Sequence, residues 1–299
     1  LEFRRVLFRF IPRSTQFVEW IRGVMAARRQ YPDARDPVIL DAARRGIVEA
    51  RSTGTGLVGD ITNTLVTAPL LAEAGMPARL FYELIGFNVS DPVDRVLQAR
   101  AAASVASQSA PDIRIALAPH APYSVSPSLF AAIRQDLDNH PGEVSSVHLA
   151  ESTEEVRFIA EGTGPWRALL EEVGALSPTW KPAGQSPVEY LSRLGFLDER
   201  VLAVHGVQCS ADDLSRLREL QTTVVACPRS NRYVGVGDPP LSGFYDARVA
   251  VAFGTDSLAS CEDLNMFTEL AAAARLAPQV APRDLLRSAT WCGARALGF

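Results

Sequence analysis

The chain has 299 residues, 47% hydrophobic and 21% charged, with a formal net charge of −4. That is enough apolar sequence for a large buried core. Its Lys and Arg are scattered rather than run together, which gives a nucleic-acid partner no electrostatic footing, and no apolar run approaches the ~20 residues that cross a bilayer.

In chain order, LEFRRVLFRF comes first. It lacks Met and is too rich in Arg for a signal-peptide core, so it reads as a fragment edge or a cloning scar. Apolar residues at helical spacing then predict helices over Phe17–Arg29 and Pro37–Ser52. A first strand is expected at Gly56–Asn63 and a second at Arg79–Gly86, followed by a helix at Val93–Ser107. Strand Ile113–Ala118 leads to a helix at Pro127–Asp138, where Ser126 is the natural cap and Pro127 the first helical residue. Strand Val144–Leu149 follows. The rhythm then breaks over Glu161–Glu189, which holds Gly, Pro, Trp166 and Trp180 with weak periodicity and reads as a long excursion over one end of the fold, a candidate lid. Strand Val201–Val207, helix Ser210–Leu220, strand Thr222–Ala226, strand Val249–Gly254 and helix Asp263–Leu276 complete the series.

Strands that are apolar without strict alternation, separated by helices, predict parallel βαβ units. Two helices precede the first visible strand and call for another strand just upstream of Leu1. That makes eight, the number of a (β/α)8 TIM barrel rather than an open doubly wound sheet. The expected class is therefore α/β, with residues 1–299 forming one barrel domain that lacks its first strand. The four cysteines, Cys209, Cys227, Cys261 and Cys292, form no CxxC pair, which suggests a reduced, cytoplasmic setting. The expected partner is a small molecule. The sequence does not fix the oligomeric state, and a homo-oligomer is allowed.

On that frame the unusual polar residues fall in one place. His120 follows a strand in ALAPHAPYS, His148 ends the next in SSVHLAES with Glu151 three residues on, and His205 ends the next in VLAVHGV. CPRSN, with Arg229 and Asn231, follows the next strand, and Asp256 follows the last in VAFGTDS. In a barrel these C-terminal strand ends meet at one rim. A single strand-end histidine is more often a hydrogen-bonded structural residue, and His140 in DNHPGE reads as one from a loop. Three histidines and two acids in one register are a set. Imidazole and carboxylate suit a borderline cation such as Zn2+ or Fe2+, which acidifies bound water, while a nearby acid moves protons.

The segments APHAPYSVS, HLAES, VLAVHGV, CPRSN, FGTDSLAS and ATWCGARALGF together resemble the amidohydrolase superfamily, in its deaminase and chlorohydrolase branch. The resemblance implies a barrel-bound Zn2+ or Fe2+ held by an HxH pair on the first strand, by His148 and by Asp256. It implies Glu151 as proton carrier, His205 as the group that orients the attacking water or the substrate, and His120 as a substrate contact. Arg229, Asn231 and Glu83 are rim candidates for substrate contact, with salt bridges and loop caps as equally good readings. No HxH occurs in this chain, and the flanking β-sandwich of the family is not represented, so the chain is expected to be truncated at both ends, to bind metal weakly and to turn over poorly.

For the complete protein the resemblance implies a metal-activated water that deaminates an aminated purine nucleoside-like compound, of the aminofutalosine or S-adenosylhomocysteine type. The alternatives are a chlorohydrolase or cyclic amide hydrolase of the same fold, or a non-catalytic ligand-binding barrel.

Overall fold

A computed structural model describes residues 16–299. The strand expected upstream of Leu1 and the reading of Leu1–Arg9 lie outside the described residues.

The chain opens with two helices, α1 (Phe17–Arg29) and α2 (Pro37–Ser52), and then alternates. Strand β1 (Val58–Thr62), α3 (Thr67–Glu73), β2 (Ala78–Leu84), α4 (Pro92–Ser109), β3 (Ile113–Pro119) and α5 (Pro127–Asp138) form the first half. Strand β4 (Ser145–Leu149), α6 (Thr153–Glu161), α7 (Pro165–Glu172) and α8 (Pro187–Arg193) lead to β5 (Val201–His205), α9 (Ala211–Glu219), β6 (Thr223–Ala226), α10 (Pro228–Tyr233), α11 (Leu241–Asp246) and β7 (Ala250–Phe253). Helices α12 (Met266–Leu276) and α13 (Pro282–Arg287), a π-turn at Ser288–Cys292 and α14 (Gly293–Ala296) close the chain.

Every strand pairing is parallel and in sequence order, β1-β2-β3 in one sheet and β4-β5-β6-β7 in the other. A doubly wound sheet reverses its strand order at a switch point; this one never reverses, which is the order of a (β/α)8 barrel. The two sheets meet at β3 and β4. There the His148 N–H donates to the His120 carbonyl at 2.8 Å and the Ser145 hydroxyl donates to the Leu117 carbonyl at 2.9 Å.

Helix starts follow the sequence closely because side chains satisfy the first N–H groups. Asp36 accepts from the Val38 N–H, Ser126 from Leu129, Ser152 from Glu155 and Ser186 from Glu189. Each such cap is worth about 1 kcal/mol. Ser210 and Asp213 form a reciprocal capping box on α9. In α2 the buried residues Ile39, Ala43, Ile47 and Ala50 recur at helical spacing and form its buried face.

The 161–189 excursion, expected as a candidate lid with weak periodicity, holds regular structure. It carries α7 and the start of α8, and its two tryptophans pack inward. Trp166 stacks on Tyr123 at 3.7 Å and Trp180 on Phe158 at 4.5 Å. Helices of eight and seven residues are too short to display a clear apolar period, which is why the sequence hid them.

Candidate functional site

The site is built where the strands stop. Apart from glycine, five described residues have positive φ, and three of them sit on this rim, at the ends of β4, β5 and β7: Ala150 at 52°, His205 at 80° and Asp256 at 59°. A left-handed residue with a Cβ costs about 1–2 kcal/mol. Specific partners hold each one. The Ala150 N–H donates to Glu155 Oε1 and the Glu151 N–H to Glu155 Oε2, both at 2.9 Å. His205 is followed by Gly206 at φ 62°. The Asp256 Oδ2 accepts from the hydroxyls of Ser230 at 2.6 Å and Ser260 at 3.0 Å.

These turns bring the imidazoles together. The rings of His148 and His205 lie 5.1 Å apart and nearly parallel, with His148 Nδ1 3.0 Å from His205 Nε2. His205 Nε2 is also 3.5 Å from Glu151 Oε1. Ligand atoms of His148, Glu151 and His205 all fall within 4.8 Å of one another. On the other side of His148, Nε2 is 3.4 Å from Glu83 Oε1, and His120 completes a second group of three within the same limit. The His120 Nδ1 is held by the Ser124 hydroxyl at 2.6 Å.

Burial sets the electrostatics. The His205 side chain is 1% exposed, and burial holds its pKa down to about 3, so the ring is neutral at physiological pH. A neutral imidazole is the form that binds a metal. Burial also lifts Glu155 to about 7, against the pull of its backbone donors. The thiols of Cys209, Cys227 and Cys261 are all pushed up by burial, which argues against thiolate chemistry. Two imidazoles and a carboxylate within 4.8 Å are a donor set that suits a divalent cation, and His148, one of the expected ligands, is among them.

His120, His148, Glu151 and His205 converge as their spacing suggested. His148 and Asp256 also line one cavity of about 450 Å³ that runs into the barrel, although Asp256 stands outside the two tight groups among the described residues. Arg229 and Asn231 each have a partner within the protein. Arg229 pairs with Asp263 at 2.8 Å and lies 3.8 Å from Glu269. Asn231 is fully buried with its amide nitrogen 2.9 Å from His205 Nδ1. Both sit on α10, which follows β6 directly. Sequence reasoning missed the residues that support the site, Glu155, Ser230, Ser260 and Glu269. A Glu four residues beyond Glu151 and a Ser four residues beyond Asp256 were signals in the sequence; Ser230, 26 residues before Asp256, gave none.

The chain has counterparts among known proteins. The aminodeoxyfutalosine deaminase of Deinococcus radiodurans is 34% identical over 278 residues, 86% of this chain and 63% of that protein. The 5-methylthioadenosine/S-adenosylhomocysteine deaminase of Thermococcus sibiricus is 30% identical over 305 residues, 98% of this chain and 66% of that protein. The chain thus spans about two thirds of the length of these relatives. Among solved structures, an adenosine deaminase from Xanthomonas campestris with bound zinc superposes with a TM-score of 0.81 at 28% identity, covering 100% of this chain and 65% of that one. The Helicobacter pylori aminofutalosine deaminase in complex with methylthio-coformycin gives 0.83 at 24% identity, covering 100% of this chain and 72% of that one, a likeness of fold. Residues 36–299 match the amidohydrolase family, and the chain belongs to it.

Proposed function

We propose that the complete protein is a metal-dependent hydrolase that removes an amino group from a purine nucleoside-like compound of the aminofutalosine or S-adenosylhomocysteine type. The observation that carries this reading is the convergence of His148, Glu151 and the neutral His205 within 4.8 Å at adjacent strand ends. The deaminases named among the relatives support the choice of leaving group.

His148 and Asp256 are the metal-holding residues of this chain in that reading. A Zn2+ or Fe2+ held there supplies the acidification of a water molecule to a pKa near 7, and so a nucleophile at neutral pH. The remaining work falls to side chains. Glu151 carries a proton to the ring nitrogen beside the reacting carbon, and its Oε1 is within 3.5 Å of His205. His205 stays uncharged and donates a hydrogen bond to developing negative charge. Asp256 accepts the proton released by the water, in an orientation fixed by Ser230 and Ser260. His120 contacts the substrate. The carbon–nitrogen bond breaks, ammonia leaves and the oxygen from water remains on the ring carbon. A reduced, cytoplasmic setting belongs to the same reading and is supported by four cysteines that form no disulfide.

The test is ammonia release by the metal-loaded complete protein from a panel of aminated purine nucleosides, with Glu151→Gln alongside. Turnover of at least one compound, reduced by a factor of 100 or more in the variant (about 2.7 kcal/mol in the barrier), is expected. No ammonia from any compound, or a fully active Glu151→Gln, would sink the reading.

A further inference from the structure

Helix α10 follows β6, the strand that pairs with both β5 and β7. It is six residues long, and two consecutive side chains reach to either side. The Ser230 hydroxyl donates to Asp256 Oδ2 at 2.6 Å, beyond the end of β7. The Asn231 amide nitrogen lies 2.9 Å from Nδ1 of His205, at the end of β5. One short helix thus holds two groups of the site.

The start of this helix lacks a local cap. Cys227 stands at the N-cap position and makes no side-chain bond to the helix, and Pro228 has no N–H to offer. The first N–H of the helix is that of Arg229, and it donates to Glu269 Oε1 at 2.9 Å. Glu269 belongs to α12 and is 0% exposed. Its Oε2 makes no hydrogen bond, and Arg229 Nη1, already bonded to Asp263 at 2.8 Å, stands 3.8 Å from it. A buried carboxylate so sparsely bonded costs stability. What it holds is the first turn of α10.

We propose that Glu269 is a positioning residue for the site: from α12 it fixes the first turn of α10, and through Ser230 and Asn231 it sets the orientation of Asp256 and the tautomer of His205. Asp256 has a second support, because the Ser260 hydroxyl also donates to its Oδ2, at 3.0 Å. His205 depends more on the helix. With the Asn231 amide nitrogen donating to Nδ1, the ring proton sits on Nε2, the nitrogen 3.5 Å from Glu151 Oε1. That is the form able to donate a hydrogen bond into the site. A shift of α10 withdraws the donor from Nδ1 and releases the proton to either nitrogen. The catalytic consequence rests on the deaminase reading; the effect on the His205 ring does not.

The experiment replaces Glu269 with Leu, which fills the space without an acceptor, and with Gln, whose amide oxygen still accepts from the Arg229 N–H. The first readout needs no turnover. The chain has four histidines, and nitrogen-15 NMR of labelled histidine, with His205 assigned through His205→Gln, shows which ring nitrogen bears the proton. Wild type and Glu269→Gln should show the Nε2–H form, and Glu269→Leu a mixture. The second readout is ammonia release by the metal-loaded complete protein, expressed per folded chain. Glu269→Leu should lower kcat roughly tenfold or more with KM within about threefold, and Glu269→Gln should restore kcat to within about threefold of wild type. Should Glu269→Leu fail to fold, Glu269→Asp, which keeps the charge on a shorter reach, takes its place in both readouts with the same direction of change. An unaltered His205 spectrum in that variant, a kcat that falls as far in Glu269→Gln, or a rise in KM alone overturns the proposal. A wild-type protein that releases no ammonia from any compound sinks the deaminase reading instead, and the His205 spectra then decide this inference by themselves.

Discussion

Glu155 grips the backbone of Glu151. One carboxylate oxygen takes the Glu151 N–H and the other takes that of Ala150, each at 2.9 Å, with the glutamate itself fully buried. The contact fixes a left-handed turn and the starting point of the Glu151 side chain together. Glu155→Ala would strand two buried N–H groups, at a cost of about 2–4 kcal/mol. Urea denaturation should show this as a lower midpoint with an unchanged slope.

His205 predicts a pH dependence. Burial holds its folded-state pKa at about 3, against an ordinary value of 6.5. Between those values the unfolded chain binds a proton that the folded chain does not, so this contribution to stability is lost as pH falls from 6.5 toward 3. Glu155 and Glu269 act in the opposite sense. Burial raises each from 4.5 to about 7, so they favour the folded state as pH falls from 7 to 4.5. Subtracting the stability of His205→Gln isolates the histidine. The wild-type advantage over that variant should shrink by about 3 kcal/mol between pH 7 and pH 4, and a level difference would show that His205 titrates normally.

Asn231 is packed against His205 rather than exposed at the rim. In the complete protein, Asn231→Ala should therefore lower kcat by a factor of 10 or more and leave KM within about threefold, since it disturbs the orientation of a catalytic ring without removing a substrate contact. A rise in KM alone would return Asn231 to the substrate.

Gly206 follows His205 with φ at 62°, and a Cβ there would meet Phe244 at 3.2 Å and Val224 at 3.3 Å. Gly206→Ala combines a strained torsion with a tight fit and should cost about 1–3 kcal/mol in a thermal or urea melt.

Much of this was legible in the residues. Each of the seven expected strands forms within two residues or so of its predicted ends, because a β-branched run flanked by caps and turns leaves little choice. The rim histidines could be placed because a parallel barrel sends every strand end to the same side. What the sequence concealed was support rather than chemistry. Glu155 looks like one more acid in the first turn of a helix, and nothing in TEEVRF shows that its carboxylate turns back onto two peptide groups. Arg229 and Asn231 could be placed after a strand, but nothing in CPRSN shows that one pairs with Asp263 and the other meets the ring of His205. Glu83 was visible as an acid in an apolar strand, but its partner lies two strands away.

The hydrogen bond from the His148 peptide to the His120 peptide joins the two halves of the molecule through the very residues whose rings must be aligned. Architecture and chemistry therefore share a hinge pin. A substitution that let the halves drift apart there would blur the spacing of the rings before it unfolded anything, so damage to this joint should surface as a fault in recognition while the protein still looks intact.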